Sequence, residues 1–179
     1  MLRVDFDMSA LDAQLGALQA TVADAIRPAA QAGAQVLYDE VRSNVERIGK
    51  VTGNLQSAVY QAYAKREATS NKAVYDVSVN LRKAPHALLV EHGHIQRYAS
   101  YVGKDGKWHT AVKASMRGKP RPKRRASQSV KDAYYVPLAG GPKQVAAKPF
   151  IRPAKSKISQ ALEVVEAEFF KRMGAKNEP

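Results

Sequence analysis

Apolar residues recur at helical spacing from Leu11 to Ile48, and this run dictates most of what the chain can build. Leu11, Leu15, Leu18, Val22 and Ile26 step by four, three, four and four, the spacing of one helix face. The pattern resumes at Leu37, Val41, Val45 and Ile48, and Gly49 is a suitable stop. Ser9 offers an N-cap, and Asp12 an acid in the first turn. Pro28 lies between the two halves. It lacks an N–H and clashes with the preceding turn, so it bends the helix or starts a second one. The spacing predicts a long alanine-rich helix, bent near Pro28, packed against a sheet.

Alternation supplies that sheet. Leu2, Val4 and Phe6 alternate with Arg3, Asp5 and Asp7, which predicts a short half-buried strand. A second strand is expected over 59–66, after a turn capped by Thr52 or Asn54. "EATSN" follows as turn chemistry. Tyr75, Val77, Val79 and Leu81 then alternate with Asp76, Ser78, Asn80 and Arg82, the clearest strand in the chain. After Pro85, "HALLVEHG" predicts a short helix ending at Gly93. Residues 98–112 read as a hairpin with a type I′ turn at Asp105 and Gly106. In that register Tyr101 faces Thr110, Ala99 faces Val112 and Trp108 lies over Gly103. "AYYVPL" at 133–138 reads as a last strand. In "KPFIRPA" two prolines fix φ around Phe150, Ile151 and Arg152. A final helix carries Ile158, Leu162, Val165, Phe169 and Met173 on one face and closes at Gly174. The fold class is α+β: a small antiparallel sheet packed by the two helices. It forms a single domain over 1–179, with an inserted hairpin and flexible basic arm at 97–133.

The residues exclude more chemistry than they suggest. The chain has no cysteine, which removes disulfides, thiol nucleophiles and thiolate metal sites and fits a reducing cytoplasm. The N-terminus carries acids where a signal peptide needs an apolar core. The longest apolar run, "ALLV", is far short of the roughly 20 residues that span a bilayer. No phosphate-cradling loop, nucleophile elbow or paired carboxylates are present. Glu91, His92 and His94 tempt as metal ligands, but Gly93 separates the histidines and they read as polar loop residues. No enzyme, metal or cofactor is expected.

The net charge is +13, and residues 113–131 hold eight of the cations with no acid among them. These are Lys113, Arg117, Lys119, Arg121, Lys123, Arg124, Arg125 and Lys131. Such a segment neutralises phosphates without reading sequence, or grips an acidic protein face. It contains no aromatics for base stacking.

The order of the pieces resembles the tail-completion, or head–tail joining, family of long-tailed bacteriophages. Three motifs carry the likeness: Thr52, Gly53, Asn54, Leu55 and Ser57 after the first helix; Ala87, Val90, Glu91 and Gly93; and Pro149, Phe150, Ile151, Arg152, Pro153 and Ala154 before the last helix. The likeness covers nearly the whole chain apart from about 97–133, where the family has a shorter link. It implies a structural protein of the phage neck and tail, resident in the virion and assembled in the host cytoplasm. On that likeness a homo-oligomeric ring, a hexamer, would meet other neck and tail proteins: the tail terminator, the head–tail connector and the tail tube. Double-stranded DNA would pass through it. Glu91, Phe150 and Arg152 are candidates for a subunit interface or a structural corner. The alternative is a small nucleic-acid-binding protein, indifferent to sequence, whose helices support the basic arm.

Overall fold

The computed structural model describes residues 9–49 and 53–175. The strand expected at Leu2, Val4 and Phe6 lies outside the described residues, as do Thr52 and residues 176–179. The chain divides into two compact units: Met1–Ala87 with Pro149–Pro179, and Leu88–Lys148. The helical periodicity, the alternation at 75–79 and the terminal helix all appear, and the fold is α+β.

The first unit is built on α1 (Ser9–Ile48), continuous through Pro28. Its buried positions Ala25, Ala29, Gly33, Val41 and Val45, with half-buried Leu37 among them, recur every four residues. Residues spaced by four form one ridge of a helix surface. The ridge is small at one end and branched at the other. Gly33 marks its tightest point, because a Cβ there would sit 2.3 Å from Val165 Cγ2 and 3.0 Å from the Ala161 carbonyl oxygen. The partner is α5 (Ile158–Ala175), entered through a 3-10 turn at Arg152–Lys157.

This seam corrects the expected face of α5 and leaves two leucines of the α1 face uncovered. Leu15 and Leu18 are about half exposed, and so are Ile158 and Leu162, the latter at 62%. Among the described residues of α5, Ala161 is the buried one. The backbones approach so closely at Gly33 that only a small side chain fits opposite, and the leucine one position on is left outside.

A two-stranded antiparallel sheet lies on α1. β1 (Val59–Tyr63) pairs with β2 (Tyr75–Val79), with Val59 opposite Val79 and Tyr63 opposite Tyr75. The Arg27 guanidinium stands 4.5 Å from the centre of the Tyr63 ring, and Gln61 Nε2 donates to the Gln31 carbonyl at 3.3 Å. Before β1, Gly53 takes φ +75° and starts the short helix α2 (Asn54–Ala58), a backbone angle that favours glycine. Phe150 is completely buried, and its carbonyl accepts a hydrogen bond from Asn44 Nδ2 at 3.0 Å. That bond fastens the proline-bounded corner to α1.

The second unit begins one residue into the helix α3 (Ala87–His92), which is ended by Gly93 at φ +73°. A side chain at Gly93 would strike the backbone of Val145 and Ala147. β3 (His94–Gln96) pairs antiparallel with β6 (Lys143–Val145), and β4 (Ser100–Val102) with β5 (Trp108–Thr110). Three backbone bonds then close a ring. Ala99 N–H donates to Val136 O at 3.0 Å, Val136 N–H to Ala111 O at 2.9 Å, and Ala111 N–H to Ala99 O at 2.8 Å.

Two expectations are corrected in this unit. The hairpin register is shifted by one: Tyr101 faces His109 and Val102 faces Trp108. Among the described residues only glycines have positive φ, so Asp105 cannot take its place in a type I′ turn. Instead Gly106 N–H donates to Gly103 O, Gly103 N–H donates to Lys107 O, and Gly106 carries φ +70°. The ring over Gly103 is therefore His109, whose Nε2 would stand 2.8 Å from a Cβ there. The strand expected over 133–138 starts later. Ala133 and Tyr134 finish the helix α4 (Gln128–Tyr134), capped by Ser127, and bridges form only at Tyr135 and Pro137.

Candidate functional site

The basic residues lie in the second unit, between the β4–β5 hairpin and the extended stretch at Tyr135. The segment begins with a 3-10 turn at Ala114–Met116 and ends inside α4. Local sequence explains both ends. Ser127 supplies the N-cap oxygen for α4, while Pro120 and Pro122 bar a helix across the middle.

The eight cations divide by what they touch. Lys113 Nζ donates to the Asp132 carbonyl at 2.7 Å, Arg121 Nε to the Tyr135 hydroxyl at 2.9 Å, and Lys131 Nζ to the Arg124 carbonyl at 2.9 Å. These three tie the segment to itself and to the sheet. Arg117, Lys119, Lys123, Arg124 and Arg125 are exposed. Tyr134 adds a further fastening, its hydroxyl donating to the Lys119 carbonyl at 3.1 Å.

Beside the segment, Tyr98, Asp132 and Gln128 form a closed polar cluster. Tyr98 OH donates to Asp132 Oδ1 at 2.7 Å, and Gln128 Nε2 reaches both Tyr98 OH and Asp132 Oδ1. The Tyr98 bond, then the Gln128 bond, holds the Asp132 carboxyl below its ordinary range. Burial first, and the Asp132 hydrogen bond second, raise the Tyr98 phenol. The bond to the Tyr135 hydroxyl raises Arg121, which stays charged. The tyrosine rings pack on one another, with Tyr98 and Tyr135 at 5.1 Å and Tyr134 and Tyr135 at 5.0 Å.

Sequence reasoning found the charge and missed its supports. Tyr98, Gln128, Asp132, Tyr134 and Tyr135 were readable only through Ser127, a cap residue followed by a helix-compatible stretch. The other named residues lie apart from this cluster. Glu91 is buried at 3% exposure near the end of α3, Phe150 is buried, and Arg152 is exposed at the start of the 3-10 turn. Among the described residues no three His, Asp or Glu side chains converge as a metal site. No described helix is long and apolar enough to cross a membrane.

The arrangement is a presentation surface of cations on a helix-and-sheet framework, the kind of part found in structural and binding proteins. Residues 9–93 match the family described as "Bacteriophage HK97-gp10, putative tail-component". The match spans α1, α2, both strands of the first sheet and α3, and it stops at Gly93. It bears out the likeness to phage tail proteins over those residues. The basic segment, the proline corner and α5 fall beyond it. No curated protein and no solved structure matches the chain.

Proposed function

We propose that the chain is a structural subunit of the phage neck that completes the tail and joins it to the DNA-filled head. The observation that carries this reading is the family match over 9–93. A ring of six copies would meet the tail terminator, the connector and the tail tube. Support for self-association comes from the helices. Ile158, Leu162 and Phe170 on α5, and Leu15 and Leu18 on α1, are all exposed large apolar residues. Apolar surface of this kind marks interaction sites, and rings need heterologous contacts that close by rotation. Phe150 serves as the rigid corner that holds α5, with buried Glu91 a structural carboxyl of α3. Arg152, exposed on the corner, is the residue offered to a neighbouring subunit.

The experiment is the copy number of this chain in purified particles by quantitative peptide mass spectrometry. A small fixed number per particle supports a ring; absence from infectious particles removes the reading. A companion measurement takes the mass of the purified chain by light scattering. Leu162→Glu with Phe170→Glu places charge on the exposed helix face, so the oligomer should fall to monomer while helicity is kept. An unchanged mass would assign the ring contact elsewhere. The second reading, a free nucleic-acid-binding protein indifferent to sequence, is favoured by the concentration of charge in residues 88–148. It would show as duplex binding by a monomer that particles do not contain.

A further inference from the structure

We infer that the second unit is a preorganised clamp for the backbone of duplex DNA, in which five of the eight cations make the contacts and three build the clamp. The inference deepens the tail reading and rests on it only for where the duplex comes from; binding itself is a property of the free chain. Residues 88–148 carry thirteen Lys or Arg against three Asp or Glu, an excess of ten out of the chain's +13. None of the three acids faces the segment as a free counter-charge. Glu91 is buried, Asp105 accepts from His109 Nε2 and the Lys107 N–H, and Asp132 is held by Tyr98 and Gln128.

The fastenings fall on both sides of the Pro120-Arg121-Pro122 stretch. Before it, the Lys119 carbonyl takes the Tyr134 hydroxyl; after it, the Arg124 carbonyl takes Lys131 Nζ; at its centre, Arg121 turns in to Tyr135. The two flanks that carry Arg117 and Lys119, and Lys123, Arg124 and Arg125, are thus held in place before any partner arrives. Ordering paid in folding is not charged again on binding, which raises affinity without adding a contact.

The chemistry of the segment selects its partner. Residues 117–125 read "RGKPRPKRR", with no apolar side chain other than proline. A protein partner is held by a desolvated core of aromatic and aliphatic anchors, and this stretch has none to give. Phosphates require only charge and donors, and the arginines supply the planar fork that suits them. Single strands are held largely by stacking on aromatic rings, which are absent from 117–125. Duplex is therefore favoured over single strand.

Five phosphate contacts predict that log K falls with log salt at a slope of about −4.5, or roughly 500-fold between about 50 and 200 mM. The test uses the full chain and labelled duplexes of two unrelated sequences, followed by anisotropy across salt. The expected result is that slope on both duplexes, with weaker binding to single strands. Replacing Arg117, Lys119, Lys123, Arg124 and Arg125 together by Gln should remove most of the slope while leaving the melting curve in place. Tyr134→Phe keeps every charge and releases one fastening, so affinity should fall several-fold at an unchanged slope. A wild-type slope shallower than about −2, tighter binding to polyglutamate or to single strands than to duplex, or full binding by the five-fold variant would each overturn the inference. The copy-number measurement separates the two readings. A chain present in particles but blind to duplex sinks the clamp alone, and a duplex-binding chain absent from particles sinks the tail reading alone.

Discussion

Asp132 shows how a single acid can serve a basic unit without neutralising it. Its carboxyl faces the Tyr98 hydroxyl at 2.7 Å and Gln128 Nε2 at 2.8 Å, and its own backbone carbonyl takes the Lys113 ammonium. Its pKa is lowered, chiefly by the Tyr98 bond, so the charged form is the one the fold prefers. A depressed carboxyl contributes stability above its unfolded value of about 3.9, and the contribution is lost as pH falls through the lower folded value. Tyr98 moves the other way. Its raised pKa means that the neutral phenol is preferred, so its contribution is present below about 10 and lost as pH rises through the folded value. The second unit should thus be firmest between those limits. In Tyr98→Phe the Asp132 midpoint, followed by NMR of the carboxyl carbon, should rise toward about 3.9, and acid unfolding of residues 88–148 should begin at higher pH. A midpoint that stays where it was would show that the hydroxyl does not hold the charge.

Two glycines of α1 separate the effects of propensity and packing at the scale of a helix. A Cβ on Gly16 would meet nothing within 4 Å, whereas one on Gly33 would strike Val165 and the Ala161 carbonyl. Gly16→Ala should stabilise by up to about 1 kcal/mol through helix propensity. Gly33→Ala should destabilise by about 1–3 kcal/mol, because the α1–α5 seam cannot open without moving backbone. Denaturant melts of the two variants should therefore shift in opposite directions, and a stabilising Gly33→Ala would refute the close approach. The same seam explains what periodicity conveyed. Val41 and Val45 announce their face because they are large, but Ala25, Ala29 and Gly33 bury without any hydropathic signal. β2 was legible because Tyr75, Val77 and Val79 alternate without a break, and α3 because Gly93 stops it in a conformation that suits glycine. The β4–β5 register was not, since Asp105-Gly106 fits two turns and the choice rests on His109 closing over Gly103. At the candidate site the cations were plain in the sequence. Their fastenings were not, because Tyr98 and Asp132 are 34 positions apart and meet only in the fold.

The two units differ most in charge, and that difference makes the last prediction. Residues 88–148 hold thirteen cations and three acids, while the rest of the chain holds sixteen and thirteen. The first unit also pairs charges locally, as in Arg172 with Glu168 at 2.7 Å and Arg47 with Glu40 at 3.0 Å. Excess charge of one sign repels itself and weakens the compact state. Salt shortens the reach of that repulsion, from about 10 Å at 0.1 M to about 3 Å at 1 M. Added sodium chloride should therefore tighten the second unit and leave the first nearly unchanged. The readout is hydrogen exchange at the ring of bonds joining Ala99, Ala111 and Val136, compared with amides of the α1–α5 seam at Ala29 and Ala161. Protection at the ring should rise from low salt to about 0.5 M, while the seam amides hold steady. At low salt a duplex should produce the same rise by placing phosphates where the counterions would stand. If salt protects both units equally, the effect is general burial rather than charge. If it loosens the ring, the fastenings gain more from attraction than the cations lose by repulsion, and the clamp is held together by its own ion contacts.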